Sequence, residues 1–151
     1  LPAADVTIAV NRAALRFSCD WWAALDYPTF ARCSAEVQGS PALFTAGAVL
    51  ARLKRCGSPW AERFGYTADR LTCSVRDWTA YTATAALVLA EDLGAVNVDV
   101  YGADWTDAPD YDGHRTDDYN RGENRWARER GIWDGVCEWM RGRGVSVERL
   151  F

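Results

Sequence analysis

Residues 98–114 read VDVYGADWTDAPDYDGH, an alternating apolar run that gives way to Asp104, Asp107, Asp110, Asp112 and His114, the only histidine of the chain. Carboxylates at this density suit hard cations such as Mg²⁺ or Mn²⁺, which take oxygen ligands. His114 has the chemistry of a general base near neutral pH. The ligand order of a calcium-binding EF-hand loop is missing, however, and no dense His/Cys set marks a zinc site. Solvated loop charge is the plainer reading, with no dedicated metal site and no required cofactor. The segment nonetheless follows a strand, which is where open α/β sheets bind their ligands.

Glu129 falls three residues after Trp126 and four before Trp133, on the apolar stripe of its helix. A carboxylate on a buried face is costly unless it is paired or performs chemistry, so an ion pair with an Arg of another element and a functional role both stand open. YTAT, residues 81–84, opens a helix with small hydroxyl residues. The free N–H groups and positive end of a helix start suit phosphate, although Thr in such a place is often only a cap. Arg121, Arg125, Arg128 and Arg130 make a local basic cluster. No Walker A, GxGxxG or HExxH pattern is present.

The elements that must position these residues follow from patterning. DVTIAVN reads as a strand, and CDWWAALD as a buried strand or a helical turn. PALFTAGAV suggests a strand around 42–45, residues 54–70 read mostly as loop, and LTCSV (71–75) reads as another short strand. TAYTATAALVLAEDLG has helical spacing and stops at Gly94. AVNVDVYG alternates as a strand, NRWARERGIWDGVCEWMRGRG carries a helical stripe ending at Gly142 or Gly144, and VSVERL closes as a strand. This order predicts an α/β fold, Rossmann-like and three-layered, with a mostly parallel sheet flanked by helices.

The 151 residues fit one domain, and 49% hydrophobic content with eight Trp argues against disorder. A net charge of −4 argues against non-specific nucleic-acid binding. The five cysteines are odd in number and lack CxxC spacing, so free thiols in a reducing cytoplasm are expected. No apolar run is long enough for a membrane span and no signal peptide is visible.

Three segments together resemble family 29 of the glycosyltransferases, the sialyltransferases. LPAADVTIAVNRA resembles the end of their large motif, where a strand finishes in Asn-Arg; YTATAALVLAEDLGAVNVDVYGADW resembles their small motif and the strand after it; NRWARERGIWDGVCEWMRGRGVSVERL is similar to their terminal part. Rossmann-like proteins of bacteria and phages, including the 6-hydroxymethylpterin pyrophosphokinase-like group, share this layout. The likeness covers residues 4–26 and 79–151. Two departures stand out: GADW replaces the family's Gly-Phe-Asp ending, and the glycine-containing strand that opens the large motif is not supplied. The resemblance thus implies a single nucleotide-binding domain over residues 1–151, short of its N-terminal strand.

It further implies that Asn11 and Arg12 approach a nucleotide and that Asp26 lines the same crevice. Thr82 and Thr84 would face the phosphate or donor sugar, and Gly102, Asp104 and Trp105 would floor the pocket. The activity implied is glycosyl transfer from a nucleotide sugar, with Asp104, His114 or Glu129 as the base for an acceptor hydroxyl. A metal-assisted phosphoryl or pyrophosphoryl transferase using the acidic loop is the rival enzyme, and a non-catalytic nucleotide-binding or interaction module the rival outside enzymes. The expected setting is the cytoplasm, of a bacterial host if the protein is phage-encoded. A homo-oligomer is open.

Overall fold

The computed structural model describes residues 5–103 and 123–150. Strands β1 (Ile8–Val10), β2 (Trp21–Ala23), β3 (Ala42–Thr45) and β4 (Phe64–Thr67) form an all-parallel sheet in that order. A second parallel pair joins β5 (Asn97–Tyr101) to β6 (Ser146–Leu150). Helices α1 (Tyr27–Cys33), α2 (Gly47–Arg55), α3 (Thr82–Asp92) and α4 (Glu123–Gly142) flank the strands. The fold is α/β and Rossmann-like, as the alternation of patterns predicts. No helix among the described residues is long and apolar enough to cross a membrane.

Period-two alternation along the strands divides the interior into two cores. Leu43 enters one with Trp22, Phe30, Leu53 and Trp60, beneath α1 and α2. Its neighbour Phe44 enters the other with Ala23 and the buried faces of α3 and α4. In the first core the Trp22 ring stacks on Phe30 with centroids 5.4 Å apart and meets Trp60 edge-on at 4.9 Å. Such aromatic pairs add about 0.5–1.5 kcal/mol beyond their area burial.

Local chemistry sets the helix ends. Asp26 caps α1, its Oδ1 accepting from the Thr29 N–H at 2.8 Å, with Pro28 in the first turn. At the C-terminal ends of α3 and α4, Gly94 and Gly144 take φ of 87° and 86°. The next residues, Ala95 and Val145, donate back to Ala90 O and Met140 O, each at 3.0 Å. These matching Schellman turns reverse each helix directly into its strand, β5 or β6. Two expectations fail. Residues 71–75 form no strand, and the segment read as loop contains β4.

Candidate functional site

Helices α3 and α4 lie side by side and run the same way. The Arg125 guanidinium sits 5.6 Å from the Tyr81 ring centroid at their N-terminal ends, and Arg143 pairs with Glu91 at their C-terminal ends. Two helix starts therefore open toward one place. An open cleft of about 490 Å³ lies there, lined among the described residues by Ala80, Tyr81, Arg125 and Arg128.

Among the described residues no side chain caps the α3 start. The first backbone bond of the helix runs from the Ala85 N–H to Tyr81 O, and Tyr81 at the N-cap position supplies no side-chain cap. The N–H groups of Thr82, Ala83 and Thr84 therefore form the positive end of the helix dipole beside the cavity. Arg125 Nε is buried with no hydrogen-bond partner among the described residues. A buried unmatched donor of a cation is costly, and an anionic ligand would satisfy it. Arg128 donates to Asp77 Oδ2 at 3.0 Å, and Asp77 itself holds a left-handed φ of 60°. Two guanidinium groups, a helix N-terminus and one competing carboxylate make a site for a phosphate-like anion.

The carboxyl edge of the four-stranded sheet carries a second set of features. Asn11, directly after β1, holds φ of 50°, and its carbonyl accepts from the Trp22 indole N–H at 2.9 Å. Its Oδ1 is buried with no partner among the described residues. After β3, the Gly47 N–H at the α2 start donates to Asp69 Oδ2 at 2.6 Å, and there is no room for a Cβ on Gly47 without displacing that carboxylate.

The chain matches no family model, no curated protein and no solved structure.

Placement of the residues singled out by sequence is mixed. Asp26 is spent on the α1 cap. Thr84 is fully buried, and its hydroxyl points at the carbonyls of Trp78 and Tyr81, within the turn that starts α3. Its backbone N–H, rather than its hydroxyl, belongs to the open helix end. Thr82 is the first residue of α3, half-buried, next to the cavity-lining Tyr81. Arg12 is half-buried and engaged in an interaction of its own. Gly102 follows β5 with φ of 74°, a conformation that suits glycine. Glu129 is half-buried on α4 with its Oε2 buried, one helical turn past Arg125. Asp104, Trp105 and His114 lie outside the described residues.

Among the described residues no cluster of His, Cys, Asp or Glu could hold a metal. The residues that sequence reading did not assign to a site are Arg125 and Arg128, while Tyr81 stood only within the YTAT helix start. The arginines were visible only as a basic cluster. Their convergence on Tyr81 depends on the pairing of α3 with α4, which no spacing along the chain encodes.

Proposed function

We propose that this protein binds the phosphate groups of a nucleotide or nucleotide sugar at the joined N-termini of α3 and α4, and that it transfers the sugar to an acceptor hydroxyl. The observation that carries this reading is the uncapped α3 start facing a cavity lined by Arg125 and Arg128. The acceptor oxygen would attack the anomeric carbon as the bond from that carbon to the phosphate oxygen breaks. The leaving phosphate would take its charge to the two guanidinium groups, and the hydroxyl proton would pass to a carboxylate. Glu129 lies on the same helix as both arginines, which suits it to that last role. A reducing cytoplasm accords with cysteines that are all free. Phage or prophage origin rests on the resemblance alone.

The test is a melting and titration screen of nucleotides and nucleotide sugars against the wild type and Arg125→Gln. A ligand that binds N but not U raises the melting temperature in proportion to its saturation. Loss of one charge-assisted phosphate contact should weaken binding by roughly 10- to 100-fold. If no member of the panel binds, or if Arg125→Gln binds as tightly as the wild type, the reading fails. Tight binding without turnover, in the presence of acceptors and of Mg²⁺ or Mn²⁺, would reduce it to a nucleotide-binding module.

A further inference from the structure

We infer that the outer face of α1, α2 and the turn after α2 binds the sugar–phosphate backbone of a nucleic acid. This face lies across the four-stranded sheet from α3 and α4, and its role is independent of the phosphate site proposed there.

The net charge of −4 opposes nucleic-acid binding for the chain as a whole, but it is unevenly spread. Helix α3 holds Glu91 and Asp92 and no cation. Helices α1 and α2 hold Arg32, Arg52, Lys54 and Arg55, and neither contains an Asp or Glu. Arg63 follows shortly after the 3₁₀ turn Pro59–Ala61. All five cationic residues are exposed. The ion pairs of the described residues join Asp77 to Arg76 and Arg128, and Glu91 to Arg143, so none uses these five. Cations in the last turn of α2 also suit the helix dipole. The dipole does not account for Arg63, which lies outside the helix, or for Arg52, which reaches across to α1.

Aromatic rings hold two of these guanidinium groups in place. Arg52 Cζ lies 3.5 Å from the Tyr27 ring centroid, and Arg63 Cζ lies 5.0 Å from that of Trp60. The two rings end a single row: Tyr27 stacks on Phe30 at 6.2 Å, and Phe30 meets Trp60 edge-on at 6.0 Å. Phe30 and Trp60 belong to the first core, so the row is anchored. A guanidinium laid on a ring keeps its N–H donors in its own plane, free for an oxygen ligand. It also gives up little further freedom on binding, and its fork matches phosphate in bidentate fashion.

The remainder of the face selects among anionic partners. Phe30, Val49, Leu50 and Leu53 are turned inward, and the exposed residues between the cations include Ala31, Ala48 and Ala51. The large apolar side chains left in solvent, Phe17 and Val96 among them, lie on other segments. A protein interface is built on an apolar centre, and a membrane-bound helix on an apolar face. The outer face of α1 and α2 has neither. Charge with little apolar surface suits a partner that presents phosphates at regular intervals.

The experiment is an anisotropy titration of the 151-residue protein with labelled 5′-hydroxyl oligonucleotides, single-stranded and duplex. They are about 20 nucleotides long, and salt runs from roughly 50 to 200 mM. Affinity should fall with salt, with a log–log slope of about −4 on the duplex and about −3 on the single strand for four or five neutralised phosphates. Arg52→Gln with Arg63→Gln should weaken binding about tenfold and flatten the slope by about two. Lys54→Gln with Arg55→Gln touches no ring and should flatten it equally, with the melting temperature unchanged. Absence of binding at the lowest salt, or an unchanged slope in both double variants, would overturn the inference. Loss of binding in Arg125→Gln would overturn it too, by moving the oligonucleotide to the α3–α4 cleft. So would tighter binding of polyglutamate or of phosphatidylserine vesicles than of either oligonucleotide, which would give the face to an acidic protein or a membrane.

Discussion

Asn11 combines three features that rarely coincide without a purpose: a left-handed backbone, a buried carboxamide oxygen with no partner among the described residues, and a carbonyl fixed by the Trp22 indole. The first two oppose folding, and strain of this kind gathers at functional sites. Asn is among the few residues that tolerate this φ, and glycine tolerates it better. Asn11→Gly removes the unmatched acceptor and relieves the backbone, against the added flexibility of glycine in the unfolded chain. The expected net effect is a gain of about 1 kcal/mol, a rise in melting temperature of roughly 2–4 °C at this chain length. A thermal scan showing a lower melting temperature would make the Asn11 side chain structural. Asp26 shows the opposite case: its carboxylate is satisfied by the helix it caps, so its loss should cost stability first.

At the scale of elements, the α3 start already has an anion of its own beside it. Asp77 holds Arg128 at 3.0 Å in the left-handed conformation that aims its carboxylate there. A phosphate bound there as proposed must therefore compete with Asp77. Asp77→Asn keeps the volume and the tolerance for this φ, removes the competing charge and frees Arg128. It should tighten anion binding by several-fold, since the groups are partly exposed and screened, and the gain should shrink with added salt. Weaker binding in a titration of this variant would mean that Asp77 orients Arg128 rather than competing for it. The long elements were legible by their length and their glycine stops: α4 carries a helical stripe, α3 is an apolar run buried without a break from Thr84 to Ala90, and each is followed by a glycine whose φ proves positive. Short elements were not. In β4 a glycine inside the segment read as loop is demanded by the sheet itself, since a Cβ on Gly65 would meet the ring of Trp21, on β2 two strands away, at 2.5 Å. LTCSV has strand composition but no strand to pair with, and runs instead beside α4 with Val75 against Gly135. Seven-residue α1 is too short for periodicity, and only its Asp-x-x-Thr cap could have revealed it.

For the molecule as a whole, the two cores differ in what they seal from water, and the cysteines report on both. Cys33 is buried in the core under α1 and α2, with Cys19 packed against that core, while Cys73 and Cys137 pack against the core under α3 and α4. Burial pushes all four thiols up, Cys137 to about 11. The thiolate is the reactive form, so at neutral pH these four are both shielded and protonated. Cys56, just past the C-terminal end of α2, is exposed. Titration of the native protein with an aromatic disulfide near neutral pH should therefore give one fast thiol, and Cys56→Ser should remove that phase. The remaining four should react more slowly, through local or global opening. In denaturant without reductant all five should react at once. Recovery of three thiols or one would mean that disulfides form in solution. Several fast thiols in the native state would mean that one core opens readily, and slower reaction of Cys73 and Cys137 on adding a nucleotide would assign that opening to the α3–α4 layer that carries the proposed site.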